Sequence, residues 1–181
     1  HTSVSISRQS QKCRRDSLIN THAHIDHVMG NSFVHDEYGL VPQIHKLGEL
    51  VMERAESTAQ VYGLNYDLSP QGETTLEEGK DVTFNGHTLE VFFTPGHSPD
   101  HIVLYNRKED YIIGGDCLFK GSVGRVDLPG SVPVDLEKSI RTKLDVLPEK
   151  TEVHPGHGPE TTIGEEKTSN PFVSEHSSSL G

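Results

Sequence analysis

The chain has 181 residues, enough for one ordinary domain and not for two. It carries 16 Lys and Arg against 27 Asp and Glu, a net charge of −11, which argues against a protein that lives on phosphate backbones, because such affinity comes from clustered cations. No apolar run reaches the roughly eighteen residues of a membrane span, and Cys13 and Cys117 alone provide neither a disulfide framework nor a CxxC zinc site.

Residues 1–16, HTSVSISRQSQKCRRD, hold Arg8, Lys12, Arg14 and Arg15 and no acid before Asp16. They contain no apolar core of a secretory signal. A disordered segment is expected there, with the remnant of an organellar transit peptide as the alternative. A first residue other than Met suggests a processed chain or a fragment. The domain is expected over 17–173. Ser17–Asn20 reads as a strand end running into the loop THAHIDH, Val28–Tyr38 as a helix and Val41–His45 as a short strand. Lys46–Tyr62 is the clearest helix, with Leu47, Leu50, Val51, Ala55 and Ala59 roughly on one face. Polar residues from Asn65 to Lys80 make a loop. Asp81–Phe84 and Thr88–Phe93 read as strands joined across Asn85-Gly86, a strong hairpin signal. Ile102–Asn106 and Tyr111–Gly114 pair around the polar turn Arg107–Asp110. Val134–Leu147 is a second amphipathic helix and Thr151–His154 a last strand. Thr162 with Glu165 fits a capping box for a short helix that Asn170-Pro171 ends. The tail 174–181, SEHSSSLG, is of low complexity and expected to be disordered.

Twelve histidines are many for this length. His22, His24, Asp26 and His27 form HxHxDH directly after an apolar strand. In an extended segment, residues two apart face the same way, so His22 and His24 can grip one ion together. Asp26 and His27 follow where the chain turns into a helix and can face a second ion. The other candidates sit at strand ends: His97 in TPGHSPDH after EVFF, Asp116 in GGDCLF after YII, and His157 in HPGHGPE after TEV. Each lies beside glycine, which lets backbone approach a site closely.

These motifs resemble the metallo-β-lactamase fold superfamily, and within it the short glyoxalase II-like hydrolases. The similarity runs from about Leu18 to Phe172 and includes LFKGSVGRVDLPG and HPGHGPETTIGEEK. The resemblance implies an α/β fold, an αββα sandwich with the site at one edge. It assigns His22, His24 and His97 to a first metal, and Asp26, His27 and His157 to a second. Asp116 would bridge the two, and Asp26 and Asp116 are the catalytic carboxylates. Such relatives usually place a hairpin or more of strand plus a helix before the HxHxDH loop, whereas 20 residues precede Thr21 here. Part of the first sheet is therefore expected to be missing, with self-association into a homo-oligomer, or reduced stability, as the consequence. In glyoxalase II enzymes a basic residue after a GxG-like turn contacts the glutathione part of the substrate, and Arg125 matches that place. Those enzymes often carry an aromatic residue two positions on, where this chain has Asp127; an Arg125–Asp127 ion pair bracing the loop is the alternative reading. True glyoxalase II continues with a helical domain; only 24 residues follow His157, so none is expected.

The ligand set suits two Zn²⁺, and iron or manganese would accept the same N and O donors. Two ions about 3.5–4 Å apart can share a water and lower its pKa toward ~7, making a bridging hydroxide available at neutral pH. They can also hold a developing oxyanion. The expected activity is hydrolysis of a small-molecule thioester of the hydroxyacylglutathione type, with no nucleic-acid or membrane partner. The expected location is cytoplasmic, or organellar if residues 1–16 are a transit remnant. The alternatives are a persulfide dioxygenase-like iron enzyme, a lactonase or weak β-lactamase, and a non-catalytic fold member. Cys117, beside Asp116, is expected to pack rather than ligate. His101 is a candidate to support the site or orient substrate, and His154 a structural neighbour. His35, His45, His87 and His176 are expected at the surface, and His1 is terminal.

Overall fold

The computed structural model describes residues 17–84 and 86–174. Strand β1 (Leu18–Ile19) lies parallel to β2 (Pro42–Gln43). Between them come α1 (Ile25–Val28) and α2 (Asn31–Tyr38). The helix expected from Val28 thus starts three residues earlier, inside the HxHxDH segment, and breaks at Met29-Gly30, where glycine is a poor helix former. Lys46–Tyr62 likewise divides into α3 (Gly48–Met52) and α4 (Ala55–Tyr62). The break at Glu53-Arg54 re-phases the helix. Ala55 and Ala59 stay buried, whereas Leu50, expected on the same face, is 59 % exposed. The loop that follows buries Leu76 and touches β2 through a bridge between Gln43 and Glu73.

Strands β3 (Asp81–Phe84) and β4 (His87–Phe93) pair antiparallel as the hairpin signal implied. Gly86 takes the left-handed conformation the turn requires, at φ 82°, while Asn85 lies outside the described residues. Next come β5 (Ile102–Asn106), β6 (Tyr111–Gly115) and a small hairpin of β7 (Leu118–Phe119) and β8 (Ser122–Val123). The second long helix is present as α5 (Pro133–Ser139), prolonged by a wider π turn over Ile140–Leu144. In that turn the Asp145 N–H donates to the Ile140 carbonyl five residues back. The chain closes with β9 (Glu152–Pro155), β10 (Thr161–Thr162) and α6 (Ile163–Ser169). Thr162 caps α6 by accepting the Glu165 N–H at 3.2 Å, and the helix stops at Asn170 before Pro171.

Six strands form one sheet in the order β10-β9-β6-β5-β4-β3. Strict alternation sends Val103, Tyr105, Ile112 and Val153 to one face, against Leu136, Ile140, Leu144 and Ile163 of the α5–α6 side. Leu89, Val91, Ile102 and Leu104 go to the other face, against Leu76 and the half-buried Ile19 of β1. Each such side chain contributes about 1.5–3 kcal/mol when fully buried. Outside β1, the cluster Ala23, Ile25, Val28, Ala55 and Ala59 joins α1 to α4. The result is an α/β sandwich of helix, sheet, short strand pair and helix.

β4 is antiparallel to β5, β5 is antiparallel to β6, and β6 is parallel to β9. The C-terminal ends of β4, β6 and β9 therefore open on one edge of the sheet. That edge is where His97, Asp116 and His157 follow. No helix among the described residues is long and apolar enough to cross a membrane.

Candidate metal centre

The HxHxDH loop is held extended from both sides. The Asn20 N–H donates to the Gln43 carbonyl at 3.1 Å, and the Thr21 carbonyl accepts the Ile102 N–H at 2.8 Å. Alternation then sends His22 and His24 one way and Ala23 the other, into the α1–α4 cluster. Ala23 is anchored there: its N–H donates to Asp100 Oδ2 at 2.8 Å, and Asp100 Oδ1 accepts from the Ser98 hydroxyl. Asp100 is 1 % exposed. Burial raises its pKa, and the bonds from Ser98 and Ala23 act in the opposite direction. Asp26 and His27 project from the first turn of α1.

His97 arrives from β4. Its Nδ1 donates to the Arg125 carbonyl at 2.8 Å, which turns Nε2 toward His24 Nδ1, 2.9 Å away. Asp116 follows β6, and its N–H donates to Nε2 of the fully buried His101 at 2.9 Å. That bond fixes the His101 tautomer, so Nδ1 carries the proton and donates to Thr94 Oγ1 at 2.8 Å. His157 follows β9, with Nε2 3.0 Å from Asp26 Oδ2. Two glycines make room. At Gly156 an added Cβ would fall 2.2 Å from Asp116 Oδ1, and at Gly115, with φ 49°, 2.6 Å from His101 Nε2.

The seven residues converge in overlapping groups. His22, His24 and His97 bring ligand atoms within 4.8 Å of one another, as do Asp26, His27 and His157, and as do His22, His27 and Asp116. Asp116 lies between the first two groups: Oδ1 is 3.4 Å from His27 Nε2, and Oδ2 is 3.6 Å from His97 Nε2 and 3.5 Å from His157 Nε2.

The electrostatics follow the packing. Burial, reinforced by neighbouring rings, pushes His22 well below its ordinary pKa, His24 down to about 4 and His101 to about 3; His97 is also lowered by burial. For His27, burial also acts downward, but the adjoining Asp116 carboxylate outweighs it and the pKa rises. Burial would raise Asp116, yet the surrounding imidazoles hold it below the usual carboxylate value. The imidazoles of His22, His24 and His97, which burial favours in the neutral form, beside an ionised Asp116 suit the donor set a divalent cation requires. His22 Nε2, His27 Nε2 and Asp116 Oδ1 are buried with no hydrogen-bond partner among the described residues. Each such orphan costs about 1–3 kcal/mol. Divalent cations bound among these side chains would satisfy such orphans, so the residues present fit a metal centre.

The remaining sequence candidates divide. The Arg125 guanidinium is taken by Asp127 through two bonds of 2.6 and 2.7 Å, as the bracing alternative had it, and that bond draws the Asp127 carboxyl down to about 2. Arg125 also holds His97 through its carbonyl and lines the cavity over the site. Cys117 is packed, with burial pushing its thiol up to about 12. His154 pairs with Glu160 at 2.8 Å. His45 is a correction: expected at the surface, it is 5 % exposed and stacks on Phe93 at 4.4 Å between centroids, because the turn after β2 lays it against the sheet. His35 is half-buried, and His87 lies 3.2 Å from Glu109. His1 and His176 fall outside the described residues. Sequence reasoning missed Asp100 and Thr94, whose roles rest on contacts with Ala23 and His101. The sole signal was an acid and a hydroxyl flanking the His97–His101 pair.

The model of the metallo-beta-lactamase superfamily matches residues 13–159, and the chain belongs to that superfamily. Hydroxyacylglutathione hydrolase GloC of Haemophilus influenzae is 35 % identical over 162 residues, covering 88 % of this chain and 76 % of its own length, which supports a glyoxalase II-like relationship within the family. Among solved structures, TTHA1623 in a di-iron-bound form superposes with a TM-score of 0.81 at 39 % identity, over 87 % of this chain and 77 % of its own. The B3 metallo-beta-lactamase BLEG-1 superposes at 0.79 with 36 % identity, over 86 % and 75 %.

Proposed function

We propose that this metallo-hydrolase family member is a binuclear thioesterase of the hydroxyacylglutathione type. The observation that carries the reading is the convergence of six ligand side chains in two groups around one carboxylate, Asp116. In this reading His22, His24 and His97 hold one ion, Asp26, His27 and His157 the other, and Asp116 both. Zinc is proposed; the same nitrogen and oxygen donors accept iron, the metal in the TTHA1623 structure. When bound, such a pair supplies a water activated at neutral pH and polarises the substrate carbonyl.

The chain's residues set the rest. Arg125 carbonyl, Thr94 with His101, and Asp100 orient His97, Asp116 and the HxHxDH loop. With His157, Asp26 is the most exposed of the seven, at the floor of a cavity of about 770 Å³. There it can take a proton from the attacking water and return it to the sulfur as the C–S bond breaks. Water supplies the oxygen of the new carboxylate, and the thiol leaves protonated. No side-chain nucleophile is involved, and Cys117 is too buried to be one. The kinship with GloC supports the thioester class. The same reading places the protein in the cytoplasm, acting on a small molecule.

The likeness to BLEG-1 favours one second reading, β-lactam hydrolysis. Metal analysis of purified protein, with S-lactoylglutathione and a β-lactam panel assayed side by side, separates the two. Two ions per chain and preferential thioester turnover are expected. Efficient β-lactam cleavage without thioester turnover reverses the ranking, and one ion or none removes the binuclear assignment.

A further inference from the structure

The cavity over the metal ligands has two chemically distinct parts. One is the ligand floor, with His24, His97 and Asp116; the other is an apolar wall to which α3 and α4 give Val51 and Ala55, and the segment after β6 gives Phe119 and Leu128. Two cations also line it, Arg54 and Arg125. They are not equivalent. Arg125 is already committed to Asp127 by two short bonds. The Arg54 guanidinium meets no carboxylate and no hydrogen-bond acceptor among the described residues. Arg54 is exposed on the cavity lining, so among the described residues its guanidinium is open to a ligand that enters there. Pockets of this kind use a few placed polar groups to orient a ligand whose bulk lies on apolar walls, and the guanidinium fork matches a carboxylate.

We propose that Arg54 is the specificity-determining cation of this cavity, holding a carboxylate on the thiol-carrier side of the substrate while the wall of Val51, Ala55, Phe119 and Leu128 takes its carbon chain. The identity of the substrate as a thioester rests on the reading above; the anchoring role does not. An anionic amphiphile is therefore the preferred ligand, and Arg125, the residue that family resemblance nominated, is a brace.

Calorimetric binding of S-hexylglutathione, a thioether that cannot be hydrolysed, to the metal-loaded protein tests this directly. Arg54→Ala should weaken binding by roughly tenfold to a hundredfold, the range of a charge-assisted hydrogen bond, with Arg54→Lys in between and Arg125→Ala near the parent. S-methylglutathione should bind at least about tenfold more weakly than the hexyl compound, since each buried methylene is worth about fourfold. In kinetics, the kcat/KM preference for S-lactoylglutathione over the lactoyl thioester of N-acetylcysteamine, which lacks carboxylates, should fall in Arg54→Ala by the same factor as binding, through KM rather than kcat. Equal binding by Arg54→Ala and parent, no binding by the parent, loss in Arg125→Ala alone, or loss of metal from Arg54→Ala would each overturn the assignment. Equal affinity for the methyl and hexyl compounds would overturn the role of the wall. Arg54-dependent binding without turnover of any thioester would leave the anchor standing and remove the thioesterase reading instead.

Discussion

Replacing Asp100 by alanine should loosen the metal ligands without touching one. The carboxylate accepts the N–H of Ala23, between His22 and His24, and the hydroxyl of Ser98, beside His97. Ala23 and Ser98 are fully buried, so both donors would be stranded away from water. At about 1–3 kcal/mol per orphan, the loss is about 2–6 kcal/mol, a large part of a typical stability of about 5–15 kcal/mol. For a chain of this size that corresponds to a melting point lower by roughly 5–20 °C. Asp100→Asn should lose only about 1 kcal/mol, because its amide oxygen can still accept from Ala23 while its NH₂ donates to the Ser98 oxygen. Thermal melts of the metal-loaded proteins, with metal content measured by mass spectrometry, give both readouts. Weaker metal retention should accompany the lower melting point in Asp100→Ala. A variant melting within about 2 °C of the parent and holding its full metal would show that the Asp100 contacts do not support the loop.

Asp116→Ala should lose most bound metal and nearly all turnover, because it removes the carboxylate lying between both ligand groups; full metal content in that variant would refute the shared role. Gly156→Ala should fold but bind metal poorly, since its Cβ would sit 2.2 Å from Asp116 Oδ1 and 2.9 Å from His27 Cε1; metal titration against the parent checks it. The metal-stripped protein should lose stability as pH falls from about 6.5 toward 4. His22, His24, His97 and His101 have lowered pKa values when folded, so the unfolded chain binds more protons in that window, and the raised His27 offsets only part of this. Urea midpoints at pH 8 and pH 5 measure it, and an unchanged midpoint would contradict the assigned burial.

What the sequence determined by itself was whatever depends on near neighbours. Alternation put His22 and His24 on one side of an extended segment with Ala23 on the other, and Asn85-Gly86 marked a hairpin whose strands pair in register. The strand-then-glycine pattern before His97, Asp116 and His157 located three residues that meet at one edge because β4, β6 and β9 run the same way. Cys117 and the Thr162 cap were legible for the same local reason. Tertiary structure decided the rest. Leu50 has the spacing of a core residue, but the break at Glu53-Arg54 turns it to solvent, and no periodicity of a continuous helix encodes that break. His45 reads as a surface residue until Phe93, 48 positions on, supplies a ring to stack against. Asp100 acts on Ala23 across 77 positions, and no spacing in the chain announces that Arg54 of the α3–α4 junction shares a cavity with His97, Asp116 and His157. Periodicity tells a side chain which face it shares, whereas its partner across the fold is chosen only when distant segments pack.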